Sequence, residues 1–585
     1  PNRVFFGDTH THTSYSTDAG MIGNTLGPDE AFRFARGEKV RSSSGEYVQL
    51  IRPLDFLVVA DHAENLGLAP MIEEANPALL AEPWGREIYE LVDSGDYASA
   101  YVKWAGGMAE GIDPLDNDDL TRTYWNRIVE SAEQFNQPGV FTSLHGFEWT
   151  SSPDTNNLHR VVMFRDDGDK VEDLVPFSNY DSSDPEDLWN WLQAYEEDTG
   201  GQVLAIPHGG NLSNGTMFDD LRMNGEPIDI DYAERRARWE PIYETTQIKG
   251  DGETHPMLSP DDEFADYYRW DRGNFGMEMK TPEMLPKEYA REALARGLAI
   301  EAEIGVNPFK FGQIGSTDTH TSLATTREEN SFGKAPAAEP GSGHERYDEY
   351  IISPEFLGEE VAIRHYETLA SGLAVAWARE NTRDEIWDAF QRKEVYATTG
   401  SRMVVRVFAG WDFEADEVHR PDFAAEGYQR GVPMGADMFE GPEGAAPTFM
   451  IRALRDADGA NLDRIQMVKG WVGDDGEPMT KVFDVAWSGD REMGADGKVP
   501  PVGSTVEGAE FSNTLGAAAM GGYWVDPEFD PAQRAYYYVR VLEIPTPSWL
   551  AYDQAFYGNI DLPDDAVMVQ QERAYTSPIW YSPAG

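Results

Sequence analysis

Short apolar runs that each end in a histidine or an acid recur through the first 320 residues of this 585-residue chain. Phe5-Phe6-Gly7 leads into Asp8-Thr9-His10-Thr11-His12, and Leu54 to Ala60 ends in Asp61-His62. Val140 to Leu144 delivers His145-Gly146-Phe147-Glu148, Gln202 to Ile206 runs into Pro207-His208, and Phe311 to Gly315 closes in Asp318-Thr319-His320. Runs of this kind read as strands buried on both faces. Helical patterns fall between them: Pro28 to Arg36, Thr121 to Phe135, a helix capped by Asp184-Pro185 and stopped by Gly200-Gly201, and Lys287 to Ile304. The alternation predicts a parallel α/β barrel or sheet with polar side chains gathered at the rim where such folds keep their sites.

In an extended strand Asp8, His10 and His12 share a face, which is a metal-ligand spacing. By itself His-x-His fits a solvated strand edge as well. Eight of the eleven histidines lie in the first 320 residues, most of them at or just after a strand end, which scattered surface histidines have no reason to do. With Asp18, Asp61, Glu148 and Asp318 interleaved, the chain offers nitrogen and oxygen ligands for two or three divalent ions. Cysteine is absent, so thiol catalysis, disulfides and cysteinyl metal sites are excluded. His145 and Glu148 cannot share one face of a regular strand, so one of the two is a ligand and the other orients a ligand or is structural. Asp8 and Asp61 read as carboxylates that orient a histidine.

The formal charge is −57, from 104 acids and 47 bases. It disfavours nucleic acid and anionic membranes as partners, reads as a solvated surface suited to a salty medium, and leaves an anionic substrate dependent on local cations. There is no apolar run of membrane-spanning length. The Pro1-Asn2-Arg3 start suits an exported protein, periplasmic or secreted after leader removal; otherwise the location is cytoplasmic. Length predicts two domains. The first, over 1–402, carries a helical insertion at about 66–120 and a loop or lid at about 322–371. The second, 403–585, shows strands without helices between them (Met403 to Phe408, Thr448 to Ala453, Ile465 to Val472, Val482 to Trp487, Tyr536 to Ile544) and reads as a β-sandwich.

The order His-x-His, a loop carboxylate at Asp18, a strand ending Asp61-His62, Gly146-Phe147-Glu148, a following His159, Pro207-His208 and a late Asp318-x-His320 resembles the polymerase and histidinol phosphatase superfamily. The phrases from Gly7 to His12, from Gln247 to Pro256 and from Gln571 to Tyr581 more particularly resemble a bacterial family catalogued as domain of unknown function 3604. The opening loop departs from the superfamily pattern, reading Ser16-Thr17-Asp18 in place of Ser-Asp-Gly, and the stretch between Asn65 and Thr121 is longer than in small members. The superfamily resemblance implies a distorted (β/α)7 barrel with metal ligands at His10, His12, Asp18, His62, Glu148, His159, His208, Asp318 and His320. It implies a di- or trinuclear centre of zinc, manganese or iron that hydrolyses phosphoesters.

The expected activity is therefore attack on a small anionic ester by a metal-bridging hydroxide, with His62 beside the reacting atoms and Lys249 and Arg402 as contacts for the substrate's oxygens. For the glycine-rich stretch around Lys249 an ordered turn is the competing reading, and for Arg402 an exposed arginine. Two other functions fit the same ligands: hydrolysis of a carboxylic ester, lactone or amide, and a non-catalytic, metal-stabilised binding protein.

Overall fold

The computed structural model describes residues 1–276, 278–353, 361–558 and 560–583, with residues 98 and 109 described by their backbone alone. In chain order the strands that matter are β1 (Arg3–Thr11), β2 (Phe56–Val59), β3 (Thr142–Trp149), β4 (Arg160–Phe164), β5 (Val203–Pro207), β6 (Ile242–Gln247), β7 (Gly250–Asp251), β8 (Gly312–Gly315), β9 (Leu373–Ala378) and β10 (Val395–Thr398). They continue with β11 (Val404–Gly410), β12 (Gly431–Pro433), β13 (Thr448–Leu454), β14 (Leu462–Val472), β15 (Pro478–Trp487), β16 (Ala519–Val525), β17 (Ala535–Glu543), β18 (Arg573–Thr576) and β19 (Ile579–Tyr581).

The protein is a mixed α/β fold on a twelve-stranded sheet in the order β15-β14-β17-β18-β10-β9-β1-β2-β3-β4-β5, with β19 alongside β17. Only β1–β2 and β2–β3 pair in parallel within it; the other ladders are antiparallel. A second sheet, β8-β6-β7, stands apart, with β8 and β6 parallel. The ladders do not close into a barrel. Single-residue bridges tie the end of β5 to the second sheet (His208 to Glu244) and the end of β1 to the loop that follows β8 (Thr11 to Thr319), at the histidine-bearing rim.

The helices form where the sequence caps them. Asp184 accepts from the Glu186 amide at 2.9 Å to open Pro185–Thr199, and Gly200 ends that helix in the left-handed region at φ 64°. Helices Leu68–Glu73, Pro77–Ala81, Pro83–Asp93 and Tyr97–Glu110 fill most of the stretch after Asn65 and form a small core of their own around Leu79, Ile88, Trp104 and Tyr124. The expected lid at 322–371 lies partly outside the described residues; its described part holds short 3-10 turns and a two-stranded ladder. Among the described residues no helix is long and apolar enough to cross a membrane.

Beyond residue 403 a four-stranded sheet, β12-β11-β13-β16, faces β15 and β17 across Phe449, Trp524, Phe483 and Tyr537. Strand β18 pairs with β10 (Tyr396 opposite Thr576), so the hydrogen bonding of the large sheet runs unbroken from one part of the chain to the other.

Candidate metal centre

All nine residues expected as ligands converge at the rim. Strand alternation brings His10 and His12 together, their Nε2 atoms 3.0 Å apart, and each is 3.1 Å from Glu148 Oε2. The other oxygen of Glu148 faces a different pair, His159 Nδ1 at 2.7 Å and His208 Nε2 at 3.0 Å. Asp18, carried into place by the short helix Thr17–Met21, puts Oδ2 at 3.1 Å from His62 and 2.7 Å from His320. Asp318 Oδ1 lies 3.2 Å from His12 and 3.6 Å from His10. Its backbone sits at φ 54°, a left-handed conformation uncommon outside glycine and characteristic of strained functional turns.

Four overlapping groups each bring at least three ligand atoms close enough to share one ion: His12-Asp18-His62-His320, His10-His208-Glu244, His10-His12-Glu148 and Glu148-His159-His208. Bonds of about 2.0–2.2 Å to one ion set neighbouring ligand atoms about 3.0–3.5 Å apart. Most of the contacts above have that length.

The electrostatics also fit a cation. Burial pushes the Glu148 carboxyl up, but His62, His208 and His10 hold it well below the usual range. Asp318 is held low against burial by Lys249, Lys334 and His10, and Asp18 by His320 and His62. Burial opposes charge on His10, yet Asp318, Glu244 and Glu148 hold its proton on; His62 is likewise lifted to about 9. Positive charge is thus demanded at the centre of the nest. His208 is fully buried and makes no hydrogen bond at either ring nitrogen, since its Nε2 is out of hydrogen-bonding alignment with Glu148. A buried imidazole left this way loses its solvation without return unless an ion takes its lone pair.

Lys249 reaches the site, with Nζ 2.5 Å from Asp318 Oδ2. Arg402 does not. Its guanidinium donates to the carbonyls of Arg52 (3.0 Å) and Pro53 (2.6 Å) and lies over the Phe6 ring, at the end of β1 remote from His10 and His12. Asp8 leaves the shared face because the register slips between Asp8 and Thr11; it accepts from the His10 amide at 2.9 Å and from the Thr11 hydroxyl at 2.9 Å. Asp61 accepts from the Thr13 amide (2.5 Å) and hydroxyl (2.7 Å), so it fixes the turn after His12 in place of orienting an imidazole. His145 points away to Glu133 at 2.8 Å, and His255 pairs with Asp271 at 2.9 Å.

Two participants escape the strand-end pattern. Glu244, inside β6, places its oxygens 3.1 and 3.3 Å from His10 Nδ1. Lys334 approaches Asp318 Oδ1 at 2.7 Å and His320 Nδ1 at 2.8 Å, its amine lowered to about 8 by burial. The nest opens on the Asp18 side, where the side chains of Asp18 and His320 are 20% and 10% exposed against 0% for His10.

A family model described as "Protein of unknown function (DUF3604)" matches residues 1–583. No curated protein and no solved structure matches the chain.

Proposed function

The chain belongs to the DUF3604 family, and from that premise we propose that it is a metal-dependent hydrolase of the polymerase and histidinol phosphatase superfamily, acting on phosphoesters. The observation that carries this is the double use of Glu148, whose two oxygens face two different histidine pairs, as a carboxylate shared between neighbouring ions does. The seven strands β1 to β6 and β8, linked by the bridges at His208 and Thr11, support the superfamily's distorted (β/α)7 barrel as the finer description.

His10, His12, Asp18, His62, Glu148, His159, His208, Asp318 and His320 would hold two or three ions of the zinc, manganese or iron kind, with Glu244 beside His10. Such ions supply a water acidic enough to act as nucleophile near neutral pH and charge for the ester's oxygens. The protein's own part is to hold the imidazoles in one orientation through Glu244 and Ser16, the latter 3.0 Å from His12 Nδ1. It also presents the Lys249 and Lys334 amines beside Asp318, where they attract an anionic ester that the surface charge of −57 repels. Substrate enters from the Asp18 side.

The test is metal analysis of the purified protein followed by a panel of aryl phosphate mono-, di- and triesters and carboxylic esters, with His10→Ala beside the native chain. Two or three equivalents of metal and phosphoester turnover are expected, both lost in His10→Ala. Undiminished turnover in a metal-free variant would sink the reading. Hydrolysis confined to carboxylic esters would replace the substrate class, and bound metal without any turnover would leave a binding protein.

A further inference from the structure

Arg402 marks a second place of interest. A cavity of about 630 Å³ opens around the first residues of β1 and is lined by Arg3, Arg36, Arg52, Arg402 and Arg455, with Asp55 as the one carboxylate among the lining residues. In a chain with more than twice as many acids as bases, five arginines lining one hollow run against the mean. Among the described residues none of Arg3, Arg402 and Arg455 is in an ion pair. Arg3 stacks over Phe5, Arg455 donates to the Gly459 carbonyl, and Arg402 donates to two carbonyls. Arg36 pairs with Glu38 at 4.0 Å, and Arg52 with Asp456 at 3.6 Å and Asp458 at 4.0 Å. Asp55 is already occupied by the Phe6 amide at 2.8 Å.

Arg402 is buried, and desolvation together with the neighbouring Arg52 depresses its pKa to about 10. Asp55 and Asp456 act against that shift, yet among the described residues Arg3, Arg402 and Arg455 stay without an ion pair. Phe5, Val404 and Leu454 supply apolar wall between the guanidiniums. Phe5 and His10 are five residues apart on one strand, roughly 17 Å at 3.3 Å per residue, so this hollow is separate from the histidine nest.

We propose that this cavity is an anion-binding site for a small organic phosphate carrying at least two negative charges, distinct from the centre where esters are hydrolysed. Guanidiniums suit the class because their planar forks meet phosphate oxygens two at a time and remain charged when desolvated.

The probe is methylenebisphosphonate, whose P–C–P bridge resists hydrolysis, titrated calorimetrically at low salt into the metal-loaded native protein, into His10→Ala and into Arg3→Gln/Arg455→Gln. Both replaced arginines are at least partly exposed, and an unchanged melting temperature verifies that the double variant folds. Binding is expected to persist in His10→Ala and to weaken at least about tenfold in the arginine variant, whose esterase activity stays at the native level. Arginine-variant binding equal to native would overturn the proposal, as would absence of binding to His10→Ala. So would citrate binding where the bisphosphonate does not. Failure of the hydrolase reading shows instead in metal content and ester turnover, which the arginine variant leaves untouched.

Discussion

Glu244 shows what a single residue can hide. It lies in Ile242-Tyr243-Glu244-Thr245-Thr246-Gln247, a strand with no histidine at its end, and nothing in strand-end spacing selects it. The signal available was a carboxylate inside a segment otherwise due for burial, which is costly unless paired. In the structure Glu244 is 1% exposed and against His10 Nδ1. Glu244→Gln should therefore loosen metal binding by about ten- to a hundredfold while the fold persists, measured by competition with a chelator of known affinity; unchanged affinity would reduce Glu244 to a packing residue. The convergence of His10, His12, His208, Asp318 and His320 was legible because strand-end position and chain order both pointed to them, whereas Asp18, His62, Glu148 and His159 were drawn in through the superfamily resemblance. Arg402, Asp8 and Asp61 were less so, because parity says which face a side chain takes but not which of several partners on that face it meets. The register slip after Asp8 is invisible to alternation.

At the scale of elements, the two longer phrases that carried the family resemblance turn out to meet each other. Tyr575 on β18 donates to Asp251 on β7 at 3.1 Å, and behind them Arg291 and Arg540 share Glu253 and Asp262 at 2.6 to 3.3 Å, all four buried. Removing one member strands the other charges in a dry core, so Arg540→Met should cost about 3–5 kcal/mol in denaturant unfolding, and a loss below about 1 kcal/mol would mean that water reaches the network.

A second junction joins the 322–371 stretch to β18. Glu328 and Glu572 are neighbouring carboxyls, Glu328 half-buried and Glu572 buried with Glu543 nearby, and burial lifts Glu328 and Glu543 well above the usual range and Glu572 to about 7. A carboxyl raised in the folded state binds more protons there than in the unfolded chain. Stability from this pair is therefore full below about pH 4.5 and is lost as pH rises through about 7. Glu572→Gln should remove about 1–3 kcal/mol of that decline, read from unfolding midpoints between pH 5 and 8; an unaltered slope would show that the pair does not share a proton. Element types were mostly legible, since Pro, Gly and capping residues sit where helices start and stop. Strand β9 was not, because Leu373-Ala374-Val375-Ala376-Trp377-Ala378 is half alanine, a residue with little intrinsic preference for strands, and its partner on one side, β1, lies at the other end of the first 400 residues.

Pairing across such distances decides the whole molecule. The sequence pattern beyond residue 403 reads as strands without helices, yet the structure holds helices Phe423–Arg430 and Trp549–Tyr557 there, and β10 and β18 pair across the change, as no local pattern could indicate. What the sequence does carry at this scale is charge. The Arg291–Arg540 network is locally compensated, and burial favours the neutral form of the Glu543 and Glu572 carboxyls, so the excess of 104 acids over 47 bases falls mostly on the surface, where like charges repel in the compact state more than in the expanded chain. The interaction between exposed charges decays over about 10 Å at 0.1 M salt and about 3 Å at 1 M. Added sodium chloride should therefore raise the apparent melting temperature, on the order of 5 °C between those concentrations. His10→Ala should show the same rise as the native protein, because the repulsion is spread over the surface and does not arise in the histidine nest. A melting temperature that is flat or falls with salt would mean that exposed ion pairs, such as Arg420 with Asp416 and Lys481 with Glu528, outweigh the net repulsion, since screening weakens attraction and repulsion alike.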